Sequence, residues 1–307
     1  MKNLTYKIKS TLYSYTKEGK KLKRPTYYEL IKYENFLREK KNQLVLSFGS
    51  GRSGQNWISK IFNSHKNWIG SAERFADYEA FYRYITYYDL PISKDGFFRL
   101  LDLSINRDMA LYQNSFISSP YWSFGVKETL DKLKPDYLIY SIRNPIKNIE
   151  SFHRKGWYLN LDKYEDLKSP MIDIVNSQYR SFSRIIPKGE YLNEWKKLTR
   201  IGKITWFWCT INNSIYNDFQ NTNNIEKYIL RLEDINDNYD MYEKLAKKFN
   251  FEKKLNKRSF LNIVNKAPNK GKIDKYFYNE WNDREKKEFE NIINKYFPYY
   301  DQMKTNL

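Results

Sequence analysis

The sequence predicts an α/β protein: a single three-layer domain with a central, mostly parallel β-sheet flanked by helices. Apolar segments of strand length alternate with longer segments of helical spacing, the pattern of a parallel sheet covered on both faces. The first strand, LVLSF at Leu44–Phe48, is a near-continuous apolar run, as expected for a strand buried on both faces. We expect this domain to span residues 44–307, preceded by a polar, basic lead-in over residues 1–43.

Periodicity and helix-start signals place the individual elements. Apolar residues recur at helical spacing from Trp57 to Phe62, which predicts a helix over Gln55–Ser64. Pro145 follows the predicted strand Tyr137–Ile142, where it can occupy the first turn of a helix without losing a hydrogen bond. The other predicted strands are Trp68–Gly70, Trp122–Lys127 and Lys227–Leu232, and the other predicted helices are Phe75–Tyr88, Ser177–Phe219 with a break at Gly202, Tyr239–Phe249 and Asp283–Tyr296.

The chain is strongly basic. It has 54 Lys and Arg residues against 36 Asp and Glu, a formal net charge of +18. Such a balance fits a polyanionic partner (nucleic acid, an anionic membrane or an acidic small molecule), and it equally fits lysines spread over a solvated surface. No block of five or six consecutive basic residues is present, which argues against nucleic acid as the partner.

The single cysteine fits a reducing compartment, and the hydropathy of the sequence bears on whether it has a signal peptide or a membrane span. Cys209 is the only cysteine, so neither an intrachain disulfide nor a cysteine-based metal site is expected. The first 20 residues lack an apolar core of signal-peptide length. The longest apolar run, Ile204–Cys209, is too short to span a bilayer. We therefore expect a cytoplasmic protein without a membrane span.

A glycine-rich loop follows the first strand, in the segment GSGRSGQNW. Gly49 and Gly54 have the G-x4-G spacing of a loop whose free amides, at the start of a helix, bind a phosphate. A nucleotide triphosphatase continues with Lys and Ser or Thr, which neutralise the phosphates and hold Mg²⁺. Gln55 and Asn56 stand there instead, and Arg52 projects from inside the loop. The loop thus suits an anion with a cation beside it and no metal; a plain strand–turn–helix junction is the alternative.

A second basic anchor follows the strand Tyr137–Ile142. Arg143 lies at the carboxyl end of that strand, the edge at which ligands of open parallel sheets bind. Ser151 lies eight residues later, a little over two helical turns on. A guanidinium can fork onto a phosphate, and a hydroxyl can donate to the same group. Pairing of Arg143 with a nearby carboxylate is the alternative.

Together the two segments resemble the sulfotransferases that use 3′-phosphoadenosine 5′-phosphosulfate (PAPS). The family's first motif is G-x-[KR]-S-G-[TS]-[TS]-W, which Gly49–Trp57 matches through Arg52-Ser53-Gly54 and the final tryptophan. The second motif is a strand, Arg, Asn or Asp, Pro, and a helix with Ser eight residues after the Arg, which residues 137–151 match. A late Lys270-Gly271 matches the third motif loosely. The resemblance covers residues 44–297 and implies the P-loop NTPase-like sulfotransferase fold.

The resemblance also implies an activity: metal-independent transfer of a sulfuryl group from PAPS to a hydroxyl or amine of a small molecule or carbohydrate, leaving 3′-phosphoadenosine 5′-phosphate. It places the 5′-phosphosulfate on Arg52 and the loop amides, and the 3′-phosphate on Arg143 and Ser151. Trp57 packs either on the adenine or in the core. The residues implied to bind the donor are Gly51, Arg52, Ser53, Gly54, Gln55, Asn56, Trp57, Arg143, Ser151, Lys270, Gly271 and Lys272.

Two positions depart from the family pattern. Gln55 and Asn56 replace a pair of hydroxyl residues, so carboxamides must supply one or two hydrogen bonds to the ligand. Asn269 stands where many members carry a basic residue, which makes the third motif less charged.

Transfer to an alcohol also needs a general base, because a protonated hydroxyl is a poor nucleophile. Glu73 stands where some carbohydrate sulfotransferases carry a glutamate base. Glu128 follows the predicted strand Trp122–Lys127, and Lys127 matches a family lysine that stabilises charge on the leaving phosphate and sulfuryl oxygens. The predicted catalytic residues are Glu73, Lys127, Glu128 and Arg52, with His65 and His153 as weaker candidates for the base.

Three other functions stay open at this point. A P-loop nucleotide or metabolite kinase would depend on Mg²⁺ and would carry a lysine after the second glycine of the loop, which this sequence lacks. A basic nucleic-acid-binding protein predicts clustered cations and affinity that falls steeply with salt. A PAPS-binding protein that has lost catalysis would account for Gln55 and Asn56. The aromatic residues between Tyr78 and Tyr88 are expected either to line the acceptor pocket or to belong to the core.

Overall fold

The computed structural model describes residues 25–159, 184–236, 238–265 and 276–307. The strands are β1 Leu44–Phe48, β2 Trp68–Ala72, β3 Asn114–Ser119, β4 Tyr137–Ile142 and β5 Glu226–Arg231. The helices are α1 Tyr27–Ile31, α2 Gln55–Asn63, α3 Ala76–Tyr87, α4 Asp95–Tyr112, α5 Val126–Leu133, α6 Pro145–His153, α7 Tyr191–Lys197, α8 Arg200–Asn221, α9 Leu232–Ile235, α10 Tyr239–Lys248, α11 Lys257–Val264 and α12 Asp283–Tyr296. Short 3₁₀ turns lie at Pro120–Trp122, Tyr278–Glu280 and Tyr300–Gln302.

The five strands form one parallel sheet in the order β2-β3-β1-β4-β5. The chain leaves β1 towards one edge of the sheet and leaves β4 towards the other. The loops that follow these two neighbouring strands therefore diverge and open a crevice at their carboxyl ends, which is where open α/β sheets bind ligands. Phe48, the last residue of β1, lies beside Tyr140 of β4, so Arg52 and Arg143 both emerge at this crevice.

Successive side chains of each strand point to opposite faces of the sheet, and each face packs against its own hydrophobic core. Leu44, Leu46 and Phe48 face a large core that includes side chains from α3–α6, α8 and α12. Val45 faces the opposite side, where α2, α10 and α11 cover the sheet. All three layers of the predicted α/β architecture are thus present, and the predicted fold class is confirmed.

The third strand differs from the sequence-based prediction. Trp122–Lys127 is not a strand; β3 is Asn114–Ser119, and α5 begins at Val126. Two of the three serine hydroxyls in this buried strand have carboxylate partners: Ser115 Oγ donates to Asp108 Oδ2 at 2.8 Å, and Ser119 Oγ donates to Glu79. The structure therefore places Lys127 and Glu128 in the first turn of a helix, whereas the sequence-based prediction placed them at the end of a strand.

The break predicted at Gly202 is also wrong. Helix α8 runs through Gly202 without interruption, and the helix start lies at Thr199, whose side chain accepts from the Gly202 amide. Glycine leaves room here for Glu288 of α12, since an added Cβ would lie 2.4 Å from Glu288 Oε2 unless that side chain shifted. The strands at Leu44–Phe48 and Tyr137–Ile142 and the helix Asp283–Tyr296 have the predicted bounds.

Part of the predicted lead-in packs on the sheet domain. Leu30 of α1 is fully buried in the larger core. Arg38 donates to Asp102 Oδ1 of α4 at 2.7 Å and to the Leu133 carbonyl at 2.9 Å. The predicted division of the chain at residue 43 stays a prediction.

Within the described ranges, every helix is too short or too polar to span a bilayer. The cytoplasmic location inferred from the sequence stays a prediction.

Candidate functional site

The glycine loop forms a tight cradle between β1 and α2. Gly51 and Gly54 adopt left-handed φ angles of 81° and 89°, which glycine tolerates without strain, and Gly54 is the residue that precedes α2. The amides of residues 53–56 have no hydrogen-bond partner among the described residues. Four consecutive free N–H groups at a helix start are the arrangement that binds an anion.

Gly49 is required for a different reason, the close approach of β4. A Cβ added at Gly49 would lie 2.5 Å from the Ser141 carbonyl oxygen and 2.6 Å from Ser53 Oγ. The Ser141 oxygen belongs to a central strand and cannot move aside without breaking the sheet. The loop therefore keeps its shape only if residue 49 has no side chain.

We expect Gly49→Ala to destabilise the protein by roughly 1–3 kcal/mol, the usual range for overpacking a close-packed site. Urea unfolding measures this directly. Gly96→Ala is the matched control, because a Cβ at Gly96 in α4 would meet nothing within 4 Å, and we expect its stability to be unchanged or slightly higher. Equal stabilities of the two variants would contradict the close approach.

Helix α6 holds the loop from the other side. Asn148 is fully buried, and its Nδ2 donates to the Gly51 carbonyl at 3.2 Å and to Ser50 Oγ at 3.3 Å. The helix is itself fixed at its start, where Pro145 occupies the first turn and Asn144 Oδ1 accepts from the Lys147 amide. Loop and helix therefore form one rigid unit.

The two predicted cationic anchors meet in this unit. Arg52 Nε donates to Ser151 Oγ at 2.9 Å, and Arg143 Nη1 donates to the Arg52 carbonyl at 3.3 Å. Arg52 itself has a left-handed φ of 58°, unusual for a residue with a side chain, and these two bonds stabilise that conformation. The two anchors, which the sequence places after neighbouring strands, therefore adjoin each other directly.

Arg154 adds a third cation that the sequence reading missed. Burial lowers the pKa of Arg52 most, and the positive charges of Arg143 and Arg154 lower it further. The negative charge of Glu73 opposes this shift. Burial likewise lowers the pKa of Arg143, with Glu233 opposing and Arg154 adding to the shift. Three guanidiniums that repel one another in a partly buried cleft would be stabilised by an anion that binds among them.

Several buried polar atoms around the loop have no hydrogen-bond partner among the described residues. They are Ser53 Oγ, Gln55 Nε2, Trp57 Nε1 and Asn148 Oδ1. Buried polar groups are nearly always paired in native proteins, so the three possible donors among them (Ser53 Oγ, Gln55 Nε2 and Trp57 Nε1), beside free backbone amides, indicate a ligand with several acceptor oxygens. Gln55 thus presents a buried donor at a position where the sequence motif that this loop resembles has a hydroxyl.

Glu73 lies in the same cleft. It follows β2, its amide donates to the Ser118 carbonyl at 2.9 Å, and its φ of 51° is left-handed. Its negative charge acts on two guanidiniums, Arg52 and Arg83, in each case opposing the lowering of the pKa by burial. Its carboxylate is therefore near the loop cation, although its role as a base stays a prediction.

Arg83 is a buried neighbour of this site that the sequence reading also missed. Burial lowers its pKa to about 10. Its guanidinium lies 4.6 Å from the ring centroid of Tyr121 and 5.4 Å from that of Phe207, and its Nη1 donates to the Pro120 carbonyl at 3.4 Å. Arg83 therefore fixes the segment after β3 that borders the glycine loop.

Lys127 and Glu128 do not occupy the position from which their roles were inferred. Lys127 faces Asp218 of α8. Burial raises the pKa of the Asp218 carboxyl, and the nearby charge of Lys127 opposes this rise. It lines a cavity of about 380 Å³ with Lys134, Pro135 and Asn221, which lie near the amino ends of β4 and β5, on the far side from the loop. Glu128 Oε2 accepts from Tyr82 Oη and from Lys94 Nζ, both at 2.9 Å. Both catalytic assignments assumed that these residues lie at the end of a strand, and the structure shows that they lie in α5 instead.

The two histidines have structural partners. His65 is buried, its ring stacks 3.8 Å from that of Phe251, and its Nδ1 lies 2.9 Å from the Lys253 carbonyl oxygen. His153 Nε2 lies 2.9 Å from Arg200 Nη1 and so accepts a hydrogen bond from the guanidinium. Burial, and next the charge of Arg200, lower the pKa of His153 to about 4.

Acidification should therefore destabilise the protein through His153. The stability that the neutral imidazole contributes is present above its ordinary pKa of 6.5 and is lost as the pH falls towards 4, because the unfolded chain takes up the proton first. Between these pH values we expect the Tm of the wild-type protein to fall further than that of His153→Gln, which can still accept from Arg200 but does not titrate. Parallel Tm curves would contradict this.

Trp57 and the third motif complete the predicted donor site. The Trp57 ring packs edge-on against Phe260 of α11, with centroids 6.0 Å apart, which is a core contact and leaves adenine packing untested. Lys270, Gly271 and Lys272 lie outside the described residues. Among the described residues, no group of three or more His, Cys, Asp or Glu side chains could hold a metal ion.

Comparison with known proteins gives a similarity of fold. No protein-family model matches the chain, and no curated protein matches it. Among solved structures, the chain is similar to the sulfotransferase STF9 from Mycobacterium avium, with a TM-score of 0.54 and 10% sequence identity, over 92% of this chain and 80% of that one. At this identity the similarity establishes the shared architecture alone.

Proposed function

We propose that the protein is a sulfotransferase that takes its sulfuryl group from PAPS and transfers it to a hydroxyl or amine of a small molecule or carbohydrate. The observation that carries the proposal is the joining of both predicted anchors: Arg52 bonds to Ser151, and Arg143 bonds to the Arg52 backbone, at the carboxyl ends of β1 and β4. The fold shared with a sulfotransferase supports the same conclusion.

The residues present fit the two anionic ends of such a donor. Arg143, Ser151 and Arg154 are assigned to the 3′-phosphate, because Ser151 accepts from Arg52 and keeps its own proton for a phosphate oxygen. The free amides of residues 53–56 and the Arg52 guanidinium are assigned to the 5′-phosphosulfate. Gln55 Nε2 and Ser53 Oγ would supply side-chain donors. Lys270 and Lys272 are proposed to contribute charge to the 3′-phosphate.

The chemistry assigned to the protein follows from these positions. When bound, PAPS supplies an activated sulfuryl group whose transfer leaves a phosphate. Arg52 and the loop amides stabilise the negative charge that develops on that phosphate, without a metal ion in this role. Glu73, beside Arg52, is proposed to accept the proton of the acceptor hydroxyl. Lys127 and Glu128 have no part in this assignment.

Calorimetry of the wild-type protein with adenosine 3′,5′-bisphosphate in a metal-free buffer tests the proposal. We expect binding in the micromolar range, with little binding of Mg·ATP. Tight Mg·ATP binding without bisphosphate binding would indicate a kinase. Bisphosphate binding without turnover over a panel of phenols, amines and sugars would indicate a PAPS-binding protein that has lost catalysis.

A further inference from the structure

A chain of side-chain contacts leads from β5 to Arg143. Arg231 Nη2 donates to Tyr300 Oη at 3.0 Å, and its guanidinium lies 4.6 Å from the Tyr300 ring centroid. Tyr300 Oη in turn donates to Glu233 Oε2 at 3.2 Å. The other carboxylate oxygen, Glu233 Oε1, accepts from the Asn144 amide at 3.0 Å and lies 3.9 Å from Arg143 Nε. Hydrogen-bonded chains of this kind hold their members in one arrangement.

The far end of this chain is firmly fixed. Tyr300 is 4% exposed and belongs to the larger core. Arg231, the last residue of β5, also donates from Nη1 to the Met303 carbonyl at 2.9 Å and from its amide to Thr305 Oγ1 at 3.0 Å. Thr305 Oγ1 donates to Asp234 Oδ2 at 2.8 Å. The segment Tyr300–Thr305 is thereby tied to the carboxyl end of β5, next to the carboxyl end of β4.

Glu233 and the glycine loop together fix two sides of the Arg143 guanidinium. Glu233 lies at the Nε side, while Nη1 donates to the Arg52 carbonyl. A guanidinium held in this way loses little conformational entropy when a phosphate binds its remaining N–H groups. The same carboxylate, if it were free to move, would compete with the phosphate for Arg143.

We propose that Tyr300 and Glu233 are positioning residues that orient Arg143 and so set the preference of the site for a nucleotide with a 3′-phosphate. This inference rests on the proposed function. It assigns a role in donor recognition to the segment that follows α12, which the described contacts join to the glycine loop through Glu233 and Arg143.

The test is calorimetry of Tyr300→Phe and Glu233→Asp with two nucleotides, adenosine 3′,5′-bisphosphate and adenosine 5′-monophosphate. Both variants keep the charge of the site, so a change in affinity reports on position and not on net charge. For the bisphosphate we expect the Kd to rise about fivefold in each variant, the value of one hydrogen bond that positions a charged group. For the monophosphate we expect no change.

Tyr299→Phe is the matched control, because Tyr299 stacks on Tyr216 and removal of its hydroxyl leaves the contacts of Glu233 intact. It should bind both nucleotides as the wild type does. An unchanged bisphosphate Kd in Tyr300→Phe and Glu233→Asp, or an equal loss for both nucleotides, would overturn the inference alone. If the wild-type protein itself does not prefer the bisphosphate, the proposed function fails and this inference fails with it.

Discussion

Replacing Arg143 by alanine is expected to weaken the binding of adenosine 3′,5′-bisphosphate by about 100-fold. Arg143 is 24% exposed and lies between the loop carbonyl of Arg52 and the carboxylate of Glu233. Its forked contact with a phosphate would supply two charge-assisted hydrogen bonds, each among the stronger kinds that proteins form. Isothermal titration calorimetry at fixed ionic strength measures the loss.

Arg99→Ala is the matched control for this prediction. Arg99 lies on α4, is 56% exposed and pairs with Glu34 at 2.6 Å, so its replacement makes the same change of net charge at a residue that is not part of the site described above. Exposed ion pairs contribute about 0–1 kcal/mol, so the variant should fold and bind the bisphosphate normally. Similar affinities of Arg143→Ala and Arg99→Ala would show that only the overall charge attracts the nucleotide.

The second large effect is expected for Glu73→Gln, which should lower kcat by about 10²- to 10⁴-fold, the usual contribution of a general base. Nucleotide affinity should be retained or slightly increased, because the substitution removes a negative charge that acts on Arg52. The two effects separate a catalytic role from a structural one. A steady-state assay with a responsive acceptor, combined with calorimetry, measures both.

Glu128→Gln is the corresponding control. Glu128 pairs with Lys94 at 2.9 Å, and this substitution should leave kcat unchanged and lower stability slightly. Full activity of Glu73→Gln would exclude Glu73 as the base. Loss of activity in Glu128→Gln at normal stability would return the role to Glu128.

The parts of the fold that the sequence predicts well are those whose local pattern agrees with their surroundings. β1 and β4 are apolar runs buried on both faces, and α6 begins at a proline after an asparagine cap, so local signals suffice. The prediction misses β3 because its sequence, NSFISS, is polar by composition. Two of its buried serines, Ser115 and Ser119, are satisfied by Asp108 and Glu79, residues from other elements whose proximity no local pattern shows.

The residues of the site also fall into those that a local sequence pattern predicts and those that it does not. The glycine loop, Arg143 and Ser151 are predictable because the motif fixes their spacing within one strand–helix unit each. Asn148 and Arg154 could have been found from the helix period, since Asn148 lies three residues before Ser151 on α6 and Arg154 lies three residues after it, at the C-terminal cap of that helix. Glu233 and Tyr300 could not, because only the parallel pairing of β4 with β5 brings them to Arg143. Lys127 and Glu128 were misplaced along with the third strand.

The most direct test of the account is a crystal structure of the protein with adenosine 3′,5′-bisphosphate, and the quantity to measure is the position of its two phosphates. We predict that the 3′-phosphate lies within hydrogen-bonding distance of Arg143 and Ser151, and that the 5′-phosphate lies on the amides of residues 53–56 beside Arg52. A nucleotide bound away from the crevice between β1 and β4, or one that contacts neither arginine, would contradict the central claim.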